Sequence, residues 1–388
     1  MAVSIDQRTL RIAACIAATS TVTITMGLTW PLLAIMLERQ GVPAWLNGLS
    51  ASSQMLAILA IAPLGPRLIG RLGTVRVMVL GILGMVAALL LLPVFPNVWA
   101  WFPIRFVIGL SAELIFVGGD IWINQMARDA TRGKLIGVYG TFLYAGFAVG
   151  PATIAVAGSD NWIALYLGVA VVACGLIPLM LVKGSAPAVA GNLRARMGHF
   201  LRIVPTLMVA ALMFGLIDST VLVLLPVYGV QKGLDAETAA LLLTMFVLGG
   251  VIGQIPVGVL ADKMDKRLLM AWCTLGAMFT IGALPYVIRH SGPTWVTMLL
   301  MGITVSSFYV IAMAMMGSRF KGGDLISVNA SFVFLWGLGD VVGPFFSGVA
   351  IDAFGPDGMP ATGVLVCALF LGLILLRRRS ESESRDVW

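Results

Sequence analysis

VGVLADKMDKRL, residues 257–268, sets five charged side chains, Asp262, Lys263, Asp265, Lys266 and Arg267, between two long apolar stretches. Elsewhere charge is sparse: 11% of the 388 residues are charged and 59% are hydrophobic. A soluble domain carries about a quarter charged residues. A chain this apolar, with a mean hydropathy of +0.99, dissolves in lipid and confines its charges to the connections.

A helix needs about 20 apolar residues to cross the hydrocarbon core. Twelve runs qualify, at 11–37, 45–65, 75–94, 99–125, 134–157, 162–182, 204–229, 239–260, 268–288, 295–317, 325–351 and 361–377. The ~10-residue alternation of a membrane β-barrel is absent, so the sequence predicts an all-α membrane protein. The first run is too long for a signal-peptide core and lacks a small-residue cleavage site, so it reads as retained. Cys15, Cys174, Cys273 and Cys367 sit singly in four runs, which fits packing better than disulfides or zinc. With no G-x4-G-K-[ST] loop and no nucleophile, base and oxyanion set, neither a nucleotide engine nor an enzyme is expected. No cofactor and no resident metal are expected either.

The net charge of +7 follows topology. With both termini inside, the inner segments hold 21 of the 25 Lys and Arg, whereas the outer loops hold Arg39, Lys232 and Arg289. That asymmetry is the positive-inside rule and predicts an N-in, C-in arrangement. It explains the basic surplus without a nucleic acid. The longest polar connection, GSAPAVAGNLRARMGHFLR at 184–202, divides the chain into a first six-helix bundle (1–183), an inner linker (184–203) and a second six-helix bundle (204–388). The halves repeat: Pro63 and Gly65 correspond to Pro256 and Gly258, and Gly150 and Pro151 to Gly343 and Pro344, at one common offset of 193 residues. Parallel six-helix repeats are a transporter architecture.

The opening stretch resembles the loop motif G-x-L-a-D-R-x-G-R-K of the major facilitator superfamily, through Gly258, Leu260, Ala261, Asp262, Lys263, Lys266 and Arg267, with Asp265 in place of the second glycine. The equivalent loop of the first half, GPRLIGRLGTVR at 65–76, keeps Arg71, Gly73 and Arg76 but has no aspartate. The resemblance implies a conformational latch in which Asp262 meets a helix start near Arg132 or Lys134, alongside Lys263, Lys266, Arg267 and Arg71. A carboxylate at a positive helix end is stabilised by about 0.3–1 kcal/mol; the same charges also suit a purely topological role. Arg105 and Gly109 fit that family's fourth-helix motif R-x-x-x-G. Gly137, Gly146, Gly150 and Pro151 fit its antiporter motif G-x8-G-x3-G-P, which implies export, although helix packing asks for the same residues. Asp120, Ile121, Trp122, Ile123 and Asn124 stand where a bacterial branch of small carriers has E-S-W-L-N. Importers of copper and of riboflavin are similar at this level, so the substrate stays open.

Ionisable groups within the apolar runs are costly and mark function by default. Arg105, Gly109, Glu113, Asp120 and Asn124 fall on one stripe of the fourth helix at 100° per residue. The resemblance to the superfamily, whose fourth and seventh helices border a central cavity, implies that Glu113 and Asp218 of the seventh run face it from the two halves, where a desolvated carboxyl holds its proton readily. These two, with Asp340 and Asp120, are the proton-coupling candidates. Each has a structural alternative: Glu113 pairing with Arg105 or Gln54, Asp120 serving inner-loop arginines, and Asp340 satisfied by amides among Gly337, Gly339 and Gly343. Thr19, Ser20, Thr21, Thr23 and Thr25 form a hydroxyl ladder, most of it expected to bond back to its own helix. Arg105, Asn124, Trp122, Thr23, Gln54, Tyr144, Tyr309 and Trp336 are candidates to line a cavity for a flat or amphiphilic solute.

Met313, Met315 and Met316 read as packing rather than as a copper path. The expectation is a monomeric, proton-coupled secondary carrier of a small organic molecule in a bacterial inner membrane, in contact with lipid. The alternatives are a vitamin or metal importer, and a sensor with a carrier's fold.

Overall fold

The computed structural model describes residues 7–126, 132–181, 203–320 and 322–385. Thirteen helices make up the described residues: α1 (Gln7–Arg39), α2 (Ala44–Leu72), α3 (Thr74–Val94), α4 (Val98–Met126), α5 (Arg132–Ala157), α6 (Ile163–Cys174), α7 (Leu176–Leu181), α8 (Pro205–Gln231), α9 (Ala236–Lys263), α10 (Lys266–Val287), α11 (Ser291–Arg319), α12 (Gly322–Phe354) and α13 (Gly358–Arg385). Helices α6 and α7 form one span interrupted at Gly175, so twelve segments are long and apolar enough to cross a membrane. Helix is the expected answer in lipid, because it satisfies every backbone group within the segment.

Most helices carry a proline in the span, among them Pro31 and Pro226. The charged stretch that opened the sequence is the turn between α9 and α10. Asp265, the residue that departs from the family's loop motif, is the N-cap of α10: its carboxylate accepts from the Leu268 amide at 2.8 Å. An aspartate cap supplies one of the partners a helix start lacks.

The helices divide into two compact units. Unit 1 comprises Met1–Val42, Ser53–Gly191 and Ala236–Thr244; unit 2 comprises Pro43–Ser52, Asn192–Asp235 and Met245–Trp388. Each half therefore lends the start of one helix, α2 or α9, to the other unit. In unit 1, Thr244 donates to the Ala148 carbonyl at 3.0 Å. In unit 2, Ser52 donates to the Val341 carbonyl. The acceptors Ala148 and Val341 are 193 positions apart and the donors Ser52 and Thr244 are 192 apart, so the two contacts fall within one residue of the same place in the repeat.

The same repeat governs the tightest crossings. Helix α1 lies against α5 where a Cβ on Gly146 would strike the Thr23 hydroxyl and one on Gly150 the Gly27 backbone. In α12 the 193-offset partners Gly339 and Gly343 would strike the Leu212 and Leu216 carbonyls of α8. A third pair, Gly109 and Gly302, approaches the Gln54 and Phe246 carbonyls in the same manner. Between apolar helices in lipid, such backbone proximity supplies much of the attraction.

Candidate functional site

In unit 1 the fourth-helix stripe leads to the most deeply buried cation. Arg105 has no exposed surface, and its Nε donates to Gln54 Oε1 at 3.4 Å. Gln54 in turn directs its amide to the Met26 sulfur at 3.3 Å. Gly109 makes the arrangement possible, since a side chain there would displace the Gln54 backbone. Arg105 and Gln54 are thus brought together as a pair. Glu113 is half-buried two turns further along, with Asp120 two turns beyond it on the same helix.

Asp120 lies near the end of α4 and is exposed as a residue. Its neighbours among the described residues are Tyr139 of α5 and Cys15 of α1; the side chains of Arg128 and Arg132, the inner-loop arginines that follow it in sequence, lie outside the described residues. Asn124 is exposed and turns its amide back to the Asp120 carbonyl at 2.8 Å. Trp122 is buried and Tyr144 half-buried. Arg8 closes the end of this helix, donating from both Nε and Nη2 to the Met126 carbonyl, the latter at 2.6 Å. A cation suits a helix C-terminus.

Thr23, a cavity candidate, lies in a helix crossing. All five hydroxyls of the α1 ladder bond to carbonyls of α1 itself, and Thr23 is wholly buried in the crossing with Gly146.

In unit 2 the centre is aromatic. Phe214 of α8, Tyr309 of α11 and Trp336 of α12 are mutual neighbours with ring centroids 5.6–6.0 Å apart, and Phe332 joins through Tyr309 at 6.1 Å. Such tilted contacts favour edge-to-face attraction. The Trp336 indole nitrogen is buried and finds no hydrogen-bond partner among the described residues. One helical turn beyond Phe214 stands Asp218, half-buried; among the described residues no hydrogen bond or ion pair reaches it. Asp340, one turn beyond Trp336, is 6% exposed beside the Gly215 crossing. There Gly339 and Gly343 serve the contact with α8. Tyr309 and Trp336 are among the sequence candidates; Phe214 and Phe332 are not, although they stand four residues before Asp218 and Trp336.

Met316 is buried in the apolar cluster around Leu207 and Phe332, and Met313 and Met315 pack on that cluster. Of the latch candidates, Arg71, Asp262 and Lys263 are exposed, and Lys266 and Arg267 half-buried. Arg132 begins α5, but its side chain lies outside the described residues. Gly137 is exposed and touches no neighbour that a Cβ would meet.

Twelve membrane-length helices in two repeated sets, with charge at the helix ends and isolated acids within the spans, define a polytopic membrane carrier. The sequence pattern of the Major Facilitator Superfamily matches residues 15–287 and again 207–387, and the chain belongs to that family. It is therefore a multi-pass protein of the bacterial inner membrane and a transporter by family rather than an enzyme. Similar proteins include the uncharacterized MFS-type transporter YfkF of Bacillus subtilis, 23% identical over 85% of this chain and 86% of its own. YcaD of Escherichia fergusonii, also an uncharacterized MFS-type transporter, is 21% identical over 94% of each chain. Among solved structures, the nucleoside transporter NupG superposes with a TM-score of 0.81 at 11% identity, covering 95% of this chain and 99% of its own. A D-xylose-proton symporter superposes at 0.72 and 15% identity, covering 93% and 96%. At such identities these structures establish the fold.

Proposed function

We propose that the protein is a proton-coupled secondary transporter of a small, flat or amphiphilic organic molecule, working by alternating access. The observation that carries this reading is Asp218: a half-buried carboxyl within a span, without a partner among the described residues, one turn from an aromatic cluster. A buried acid left unpaired costs stability, and a proton relieves that cost. The aromatic faces of Phe214, Tyr309 and Trp336 offer stacking, and the Trp336 N–H a donor, to a solute arriving there. Glu113 is the second proton-carrying candidate, and Asp262 the latch whose release accompanies the conformational change. Export is the direction proposed, on the motif from Gly137 to Pro151. Its support is narrow, because Gly146 and Gly150 share their packing role with Gly339 and Gly343.

The test is internal pH in proteoliposomes under an imposed proton gradient, as lipophilic cations, riboflavin, sugars, amphipathic anions and copper are added in turn. A solute-dependent proton flux that vanishes in Asp218→Asn supports the reading and identifies the substrate class. If Asp218→Asn and Glu113→Gln both leave flux and its pH dependence unchanged, the proton-carrier assignment is wrong.

A further inference from the structure

A cavity of about 430 Å³ opens in unit 2 where the start of α10 meets the end of α11. That is within the size range of small-molecule sites. Three cations line it: Lys266 and Arg267 from the first turn of α10, and Arg319 from the last residue of α11. Asp265 also lines it, and its Oδ1 is engaged by the Leu268 amide. Among the described residues neither Lys266 nor Arg319 has a hydrogen-bond or ion-pair partner. The opposite wall is apolar, formed by Leu207, Met315 and Phe320, and merges with the buried cluster around Phe332. Met264, at the rim, exposes 39% of its surface.

We propose that this cavity binds the phosphodiester headgroup of an anionic membrane lipid. The chemistry required is a phosphate group, which Arg and Lys recognise through charge-assisted hydrogen bonds. The apolar wall assigns the phosphate to a lipid rather than to a free anion. Cations alone would suit either, whereas a chain-lined rim at the end of two membrane helices suits a headgroup with acyl tails. Basic pockets at such ends hold anionic headgroups, with each cation contributing a roughly fivefold gain in affinity. The cations lie at the helix ends, beyond the aromatic cluster that the apolar wall joins, and the proposal stands whether or not the protein couples transport to protons.

Native mass spectrometry of the detergent-solubilised full chain provides the test, with phosphatidylglycerol, phosphatidylcholine and inorganic phosphate as separate probes. The expected result is one retained phosphatidylglycerol that phosphatidylcholine does not replace. Its affinity should fall roughly fivefold in Lys266→Gln and again in Lys266→Gln/Arg319→Gln, while Arg319→Lys, and Arg76→Gln in unit 1, retain it. Size-exclusion profiles report whether each variant is folded, and Lys266→Gln alone carries the test if the double variant is not, native-like retention there overturning the proposal. Inorganic phosphate binding as well as the lipid, with the same loss in the double variant, would overturn the lipid assignment in favour of a free anion. Equal retention of both lipids, or a double variant that binds phosphatidylglycerol like the native protein, would overturn the proposal.

Discussion

Asp352, near the end of α12, caps the first turn of α2 through Trp45: its Oδ2 accepts from the Trp45 amide at 2.8 Å while Oδ1 takes the Ala44 amide at 3.0 Å. Both amides are among the four that a helix start leaves without intrahelical partners. The contact lies in unit 2, the unit to which residues 43–52 belong, and is reinforced where Gly48 meets the Pro344 carbonyl and Gly348 the Ala44 carbonyl.

Asp352→Ala should therefore lower stability by about 1 kcal/mol, the usual worth of an N-terminal cap. Hydrogen exchange at Ala44 and Trp45 is the local readout. Unchanged protection of those two amides would show that the cap does not hold them.

Gly146 and Gly339 should respond alike. Each sits where an added Cβ meets the neighbouring helix, so Gly146→Ala and Gly339→Ala should each cost about 1–3 kcal/mol, as overpacking does. Thermal unfolding in detergent compares the two. A Gly146→Ala variant that is fully stable yet reverses or abolishes vectorial flux would instead assign the fifth-helix motif to transport direction.

Gln54→Leu removes the acceptor that the buried Arg105 uses. Losing a hydrogen bond to a charged group costs about 1.5–3 kcal/mol. The expected outcome is a protein with a lowered melting temperature, with Gln54→Glu retaining the contact. Equal melting temperatures for Gln54→Leu and the native chain would show that Arg105 is held by its other contacts.

Trp336→Phe keeps most of the ring contact with Phe214 and Tyr309 while deleting the unpaired indole donor. If the solute accepts that hydrogen bond, KM rises about tenfold with little change in melting temperature, since one hydrogen bond is worth about 0.5–1.5 kcal/mol. A fall in melting temperature with KM unchanged would make the cluster structural.

Asp262→Asn tests the latch. Exposed at the end of α9, this carboxylate should shift accessibility labelling of single cysteines toward the inside-open form when neutralised. A variant altered only in membrane insertion would assign the charge to topology.

The sequence alone determined the helical architecture. Hydrocarbon imposes one length and one secondary structure on every crossing, so twelve apolar runs translate directly into twelve spans, and the 193-residue offset at Gly150 and Gly343 exposes the repeat. It also singled out Asp218, because a charge within an apolar run is visible without neighbours. What only the tertiary structure decided were relationships across helices. That Thr23 is buried against Gly146, that Asp265 caps α10 and that Arg105 donates to Gln54 are seen only in the packed helices. Phe214, Phe332 and Asp352 acquire meaning only through partners dozens to hundreds of residues away. Periodicity records which face of a helix is apolar, whereas partnership depends on crossing positions set by the close approach of backbones.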